Sequence, residues 1–343
     1  MGVMDNVTFL NSIAKSMSAE YNERIPQATR ENLAEISELI NQYPTTKNEF
    51  INTLTNVVGK TIIDKRVYQN RYKFLHKGKL PYGTSIEMIV ADIVKSKEFG
   101  QNFGGADTEV GSLIGKEESN VKVQYIERNV RKKYKVTISD VQLMGAFKNP
   151  NGLSELVQAL VQSVLNAMEY DEELIIKKAL SSVDCAKAQI TGYSALTDDE
   201  QAKKLTKVIK TYVNKMGFMS ANYNKLGIHT FSKPEDLVIF VTPETQANID
   251  VELLASAFHM DKAEVSERLV LVDEFVTDNE GTLATDANCI AIIMDQNVIQ
   301  LYENNNTTGT FNNPDGLFTN FFYHKWLTVG LAQQFNCLKI ENK

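Results

Sequence analysis

The residues from Tyr134 to Leu180 restrict this chain more than any other part of it. An alternating strand, Tyr134, Val136 and Ile138, meets a short turn at Ser139-Asp140, and Gln142 to Phe147 follow. After Asn149-Pro150-Asn151-Gly152, apolar residues recur at Leu153, Leu156, Val157, Leu160, Val161, Val164 and Met168, then at Ile175 and Ala179. That is a helical period held for about eight turns. At about 1.5 Å per residue such a helix exceeds ~40 Å, well beyond the usual globular length. Set directly behind a strand, it suits a structural spine better than a catalytic core.

The flanking segments lack cores of their own. The first 65 residues read as three helices. One covers roughly Asp5 to Asn22 with Val7, Leu10, Ala14, Met17 and Tyr21 on one face, and a second runs from about Thr29 to Gln42 through Leu33, Ile36 and Ile40. The third opens on Thr46 and Glu49 at capping-box spacing and carries Phe50, Leu54, Val57 and Val58. These stripes are short and separate, so an arm laid across other surfaces fits them as well as a bundle does. From Val67 to Asn120 periodicity weakens. Ile86 to Val94 fits strand or helix, and five glycines fall between Gly100 and Asn120 without apolar rhythm. A long loop of that kind is functional or mobile. The chain returns as a strand at Val121, Val123 and Tyr125.

Beyond the long helix, Thr197 and Glu200 make another capping box ahead of Ala202, Leu205, Ile209, Tyr212 and Met216. Leu237 to Val241 reads as a buried strand, and Thr242-Pro243 as an N-cap with proline at the first helical position. The helix behind it would pack Val251, Leu254, Ala255 and Phe258. Strands are expected at Leu269 to Phe275, Cys289 to Met294 and Val298 to Tyr302, a polar surface loop at Glu303 to Gly316, and strand-like segments from Phe321 to Ile340. The class is α+β.

Composition narrows the chemistry. A net charge of −7 argues against tight nucleic-acid binding. Cys185, Cys289 and Cys337 lie far apart without metal spacing, and reduced thiols in a cytosolic protein are expected. No secretory signal is apparent, and apolar runs such as Cys289 to Met294 are too short to span a bilayer. His76, His229, His259 and His324 are scattered outside any HExxH spacing, and there is no P-loop or GxSxG elbow. The acidic runs Asp171-Glu172-Glu173 and Asp198-Asp199-Glu200 read as solvated helix faces or starts. No catalytic, cofactor-binding or metal-ligating set is therefore expected. One charge cluster stands out: Arg128, Arg131, Lys132, Lys133 and Lys135 place five cations within eight residues. Three readings stay open for it. It is a solvated turn, a contact with an acidic neighbouring subunit, or a weak contact with DNA.

A resemblance now joins these pieces. Pro81-Tyr82-Gly83 with Ile86-Glu87, Val121-Lys122-Val123-Gln124-Tyr125, Arg128-Asn129, and Tyr134 to Ser139 through Gln142-Leu143 and Ala146-Phe147 resemble tailed-phage major capsid proteins. So do Asn151 to Leu156, Tyr170-Asp171-Glu172, Asn222-Tyr223-Asn224 with Gly227, Leu254 to Phe258 with Asp261-Lys262, and Val272 to Phe275. The likeness covers about Pro81 to Phe275, with weaker agreement towards the C-terminus, and rests on the order of the motifs. It is strongest to the phi-twenty-nine-like and crAss-like podophage groups.

That resemblance implies the Hong Kong 97-type shell fold: residues 1–64 as N-terminal arm, 65–133 as extended loop, 134–224 with 315–343 as peripheral domain (spine helix about 152–183), and 225–314 as axial domain. It implies a structural protein of an icosahedral virion shell around a double-stranded DNA genome, assembled in the bacterial host cytoplasm and bearing no enzymatic activity. The implied partners are further copies of itself in hexamers and pentamers, a separate scaffolding protein, a portal protein and packaged DNA by weak non-specific contact, with no membrane. The alternatives are an encapsulin-like cargo compartment of the same fold, or a small-molecule hydrolase or transferase, which would need a convergent pocket that the sequence does not trace.

Overall fold

The long helix runs unbroken from Gly152 to Ser182, 31 residues, or roughly 46 Å at the usual rise. A computed structural model describes residues 5–65, 72–81, 83–94, 119–193, 199–249, 268–279 and 282–343. Among them the helices are α1 (Asn6–Ala14), α2 (Ala19–Arg24), α3 (Leu33–Gln42), α4 (Pro44–Lys65), α5 (Asp140–Lys148), α6 (Gly152–Ser182), α7 (Asp199–Met216) and α8 (Pro243–Asn248). The strands are β1 (His76–Lys79), β2 (Ile86–Ala91), β3 (Val121–Ile126), β4 (Val130–Ser139), β5 (Ala186–Ile190), β6 (Leu237–Val241), β7 (Leu269–Leu271), β8 (Val276–Asn279), β9 (Thr282–Thr285), β10 (Cys289–Asp295), β11 (Ile299–Asn313), β12 (Phe318–Leu331) and β13 (Cys337–Asn342). The mixture is α+β, as expected. The chain divides into two units, one of residues 1–70, 130–174 and 304–327, the other of 71–129, 175–303 and 328–343.

The first unit is organised by the N-terminal part of α6. Leu153, Val157, Val161, Val164 and Met168 recur every three or four residues and are buried with Phe9 and Ile13 of α1, Ile36 and Ile40 of α3, Phe50 of α4 and Phe147 of α5. The arm helices thus share one core with the spine instead of forming a bundle. The start of α6 is held closely. A β-carbon on Gly152 would lie 2.2 Å from the Ala146 carbonyl oxygen, so only glycine fits there. Asn6 is fully buried beside it, and its side-chain amide donates to the carbonyls of Ala146 (3.0 Å) and Asn149 (2.7 Å). Its oxygen accepts the backbone N–H of Leu153 at 3.0 Å. An N-terminal donor that α6 cannot satisfy itself is thereby capped from another segment. In this unit β12 pairs antiparallel with β4 from Phe318↔Ser139 to Leu327↔Val130, and β4 is the sheet edge.

The second unit contains a five-stranded sheet in the order β5-β13-β10-β6-β7. All residues of β6 and β10 are buried, because both faces are covered and apolar runs need not alternate with polar residues. One face (Leu237, Ile239, Val241, Ile293) packs on Leu205, Ile209, Val213 and Met216 of α7. The other (Val238, Phe240, Ile292, Met294) packs on Ile176, Ala179 and Leu180 from the end of α6.

Four sequence expectations are corrected. The helix expected from Asp5 to Asn22 breaks into α1 and α2, because Ser18 caps the second and is itself held by Glu49, whose carboxylate accepts its N–H (2.6 Å) and hydroxyl (2.8 Å). Glu49 therefore serves Ser18, and α4 opens two residues before Thr46 with Pro44 at its first position. The polar loop expected at Glu303 to Gly316 is largely strand: β12 supplies the neighbouring ladder, and the Asn312 amide donates to Asn48 of α4 at 2.5 Å. Cys185 and Cys337 are not free thiols. They form a disulfide, with Cα atoms 4.9 Å apart, where parallel β5 and β13 begin. The helix expected around Val251 to Phe258, Thr197 of the Thr197–Glu200 box and most of the glycine-rich loop lie outside the described residues.

Candidate functional site

Two surfaces carry the features that a solvated fold alone does not require. The first lies on β4 and β12. Strand alternation sorts the predicted cation cluster. Val130, Lys132, Tyr134, Val136 and Ile138 take the inner face, and Arg131, Lys133 and Lys135 are exposed on the outer one. Lys132 meets Asp171 of α6 at 3.4 Å. Its cross-strand partner Lys325 is 2% exposed and bonded to the equally buried Glu172. The outer cations stand opposite rings: Arg131↔Trp326, Lys133↔His324 and Lys135↔Phe322. The Arg131 guanidinium lies 5.8 Å from the Trp326 ring centre, and the Lys133 ammonium 5.5 Å from that of Phe322. Among the described residues no carboxylate pairs with Arg131, Lys133 or Lys135. Arg128, the remaining member, belongs to the connection after β3 in the second unit.

The second surface is the β2–β3 ribbon of the second unit, paired from Ile86↔Ile126 to Ala91↔Val121. Its outward face bears Ile89, Val121, Val123 and Tyr125, each about half exposed or more. Its root is pinned by side chains that imitate backbone. Asn129 both donates to the Val329 carbonyl (2.9 Å) and accepts the Val329 N–H (3.0 Å). Gln124 does the same to the Leu331 carbonyl (2.5 Å) and the Gln333 N–H (3.1 Å). Between them Ile126 sits on Gly330, where a β-carbon would come within 2.4 Å of it. Asp92 accepts both the backbone N–H and the ring Nδ1 contact of His229 at 2.9 Å each. The His229 backbone N–H, then its side chain, hold the Asp92 carboxyl down at about 2.

Among the described residues the histidines do not come together as a reaction centre. His76 and His229 lie in the second unit, His324 in the first, and His259 outside the described residues. Among the described residues no group of three or more His, Cys, Asp or Glu is placed to hold a metal ion, and no helix is long and apolar enough to cross a membrane. A cavity of about 170 Å³ in the second unit is lined by Lys177, Lys187, Lys339, Asp286 and Cys289. Its charges pair with their neighbours: Lys339 donates to Asp286 at 2.6 Å, and Lys187 lies 3.0 Å from Glu341. Burial pushes the Cys289 thiol up to about 12, which leaves it protonated. Asp295, raised by burial, accepts Ser232 Oγ and the Asn297 N–H, each at 2.9 Å, and so pins a turn.

Sequence reasoning found the cations but not their sorting, although the alternation with Val130, Tyr134 and Val136 was there to read. The ribbon root escaped it. Asp92 and His229 are 137 positions apart, and amides that substitute for backbone leave no periodic trace.

A strand-backed spine helix, an arm without its own core and a two-stranded ribbon with an open apolar face define the Hong Kong 97-type class of shell proteins. Solved structures show the same fold. The capsid of Staphylococcus phage Andhra matches with a TM-score of 0.62 at 14% identity, covering 80% of this chain and 84% of that one. The capsid of cyanophage P-SCSP1u matches at 0.53 and 10%, covering 79% and 88%. The family model for the Phi29-like phage major capsid protein matches residues 10–340, and the chain belongs to that family. The major capsid protein of Bacillus phage PZA is 28% identical over 98% of this chain and 73% of its own length. That of Streptococcus phage Cp-1 is 21% identical over 96% and 92%.

Proposed function

We propose that this chain is the structural subunit of an icosahedral phage head, self-assembling into the shell around a double-stranded DNA genome. The observation that carries this reading is the β2–β3 ribbon. It is rooted by Asn129, Gln124 and the Asp92–His229 pair, yet presents Ile89, Val123 and Tyr125 to solvent. A surface so firmly held and so apolar is complete only against a neighbour. Family membership favours a genome container over an encapsulin-like cargo shell.

On this reading residues 1–64 act as arm, 65–133 as extended loop, 134–224 with 315–343 as peripheral domain and 225–314 as axial domain. Hexamers and pentamers tile the shell with a separate scaffolding protein and a portal, in the bacterial cytoplasm, and packaged DNA meets the wall by weak, non-specific contact. The subunit catalyses nothing. Electron microscopy of the chain co-expressed with its neighbouring head proteins should show closed shells, tubes or ring-shaped capsomers. A strictly monomeric product under those conditions would overturn the reading.

A further inference from the structure

We propose that the outer stripe Arg131–Lys133–Lys135 docks the acidic stripe Glu31–Glu35–Glu38 of a second copy of this chain. The inference rests on the shell reading and names a contact within it. The basic stripe is built, not merely present. Trp326 and Phe322 stand under Arg131 and Lys133, so the cations are held in place by ring faces and lose less freedom on binding. Alternate strand residues stand roughly 7 Å apart, and the three charges span roughly 13 Å.

The complementary surface is in the same unit. On α3, Glu35 and Glu38 are exposed while Ile36 and Ile40 are buried. Glu31, exposed in the turn just before α3, adds a third carboxylate four residues ahead of Glu35 and seven ahead of Glu38. Among the described residues no cation pairs with Glu31, Glu35 or Glu38. Both stripes are thus exposed and of opposite sign, and among the described residues no ion pair joins them within one chain. A contact between copies joins them without any other partner. A nucleic acid would answer the cations but not the glutamates.

The test is a charge exchange in particles assembled by co-expression with the neighbouring head proteins. The variant Arg131→Glu/Lys133→Glu/Lys135→Glu, and separately Glu31→Lys/Glu35→Lys/Glu38→Lys, should each lower particle yield by about tenfold or more, since like charges would then face each other. The chain carrying all six changes should recover to near the wild-type yield. Zero-length carbodiimide cross-linking of wild-type particles should join Lys133 or Lys135 to Glu35 or Glu38 across two copies. It decides the matter should a variant fail to fold.

Wild-type particles without rescue in the six-fold variant, or without those cross-links, overturn the contact and leave the shell reading standing. A basic-stripe variant that assembles normally but retains less DNA also overturns it, in favour of a nucleic-acid surface. Absence of any wild-type particle would sink the shell reading itself.

Discussion

The side-chain oxygen of Asn6 accepts the backbone N–H of Leu153 at 3.0 Å, so the first helix of the chain closes the start of the longest one, 147 positions away. The same side chain donates to the Ala146 and Asn149 carbonyls. Removing it takes the partner from the buried Leu153 N–H and the Ala146 carbonyl, while the Asn149 carbonyl keeps the Gly152 N–H at 3.1 Å. Asn6→Ala should lower unfolding stability by about 2–4 kcal/mol in urea titrations, since each orphaned buried group costs about 1–3 kcal/mol. Asn6→Asp keeps the acceptor but sets a carboxylate against two carbonyl oxygens, so it should be no more stable than the alanine variant. Wild-type stability in either variant would mean that the arm does not cap the spine.

The buried Lys325–Glu172 pair gives a second prediction. Desolvated ions are costly alone, so Lys325→Met should destabilise by about 3–5 kcal/mol. Lys325→Met with Glu172→Leu should recover most of that loss, because an apolar replacement of the whole pair is often neutral. Equal instability in the single and double variants would show that Lys325 acts through packing rather than charge.

How much of this was readable from the sequence follows from how local each cause is. α6 was legible because its stripe repeats through Leu153, Val157, Val161 and Met168, and β6 and β10 because their runs are apolar throughout. The break at Ser18 was not, since Ala14, Met17 and Tyr21 keep helical spacing and the carboxylate that stops the helix comes from Glu49. Asn304 to Asn313 looked like loop because its strand state comes from the neighbouring strand rather than from its own residues. The Cys185–Cys337 bond joins positions 152 apart that only the pairing of β5 with β13 brings together. The outer ring-and-cation stripe needed both β4 and the register of β12, and one strand shows only half of it.

The Asp92 carboxyl is held down at about 2, below its ordinary 3.8, first by the His229 backbone N–H. A depressed folded value means that its contribution to stability is fully present above about pH 4 and is lost as pH falls towards 2. Hydrogen-exchange protection at the ribbon root should therefore fall across that window. Asp92→Asn should show weaker protection at neutral pH and a flatter profile between pH 4 and 2 than the wild-type chain. An unchanged profile in Asp92→Asn would place the acid sensitivity elsewhere.

Gly330 offers a steric test of the same root. A valine there would press on Ile126, to which the added β-carbon lies within 2.4 Å. Gly330→Val should cost about 1–3 kcal/mol as overpacking does, and Ile126→Ala in the same chain should give part of it back. Additive losses in the double variant would rule out a direct clash.

The sorting of charge along β4 also guards its own pairing. Sliding β4 by one residue against β12 would reverse every side chain. Arg131, Lys133 and Lys135 would turn into the core, and Tyr134, Val136 and Ile138 out to water. Such a misaligned edge strand rejects itself. A subunit that must be made in many identical copies therefore carries a proofreading rule for strand alignment, written in the same residues that its outer face presents.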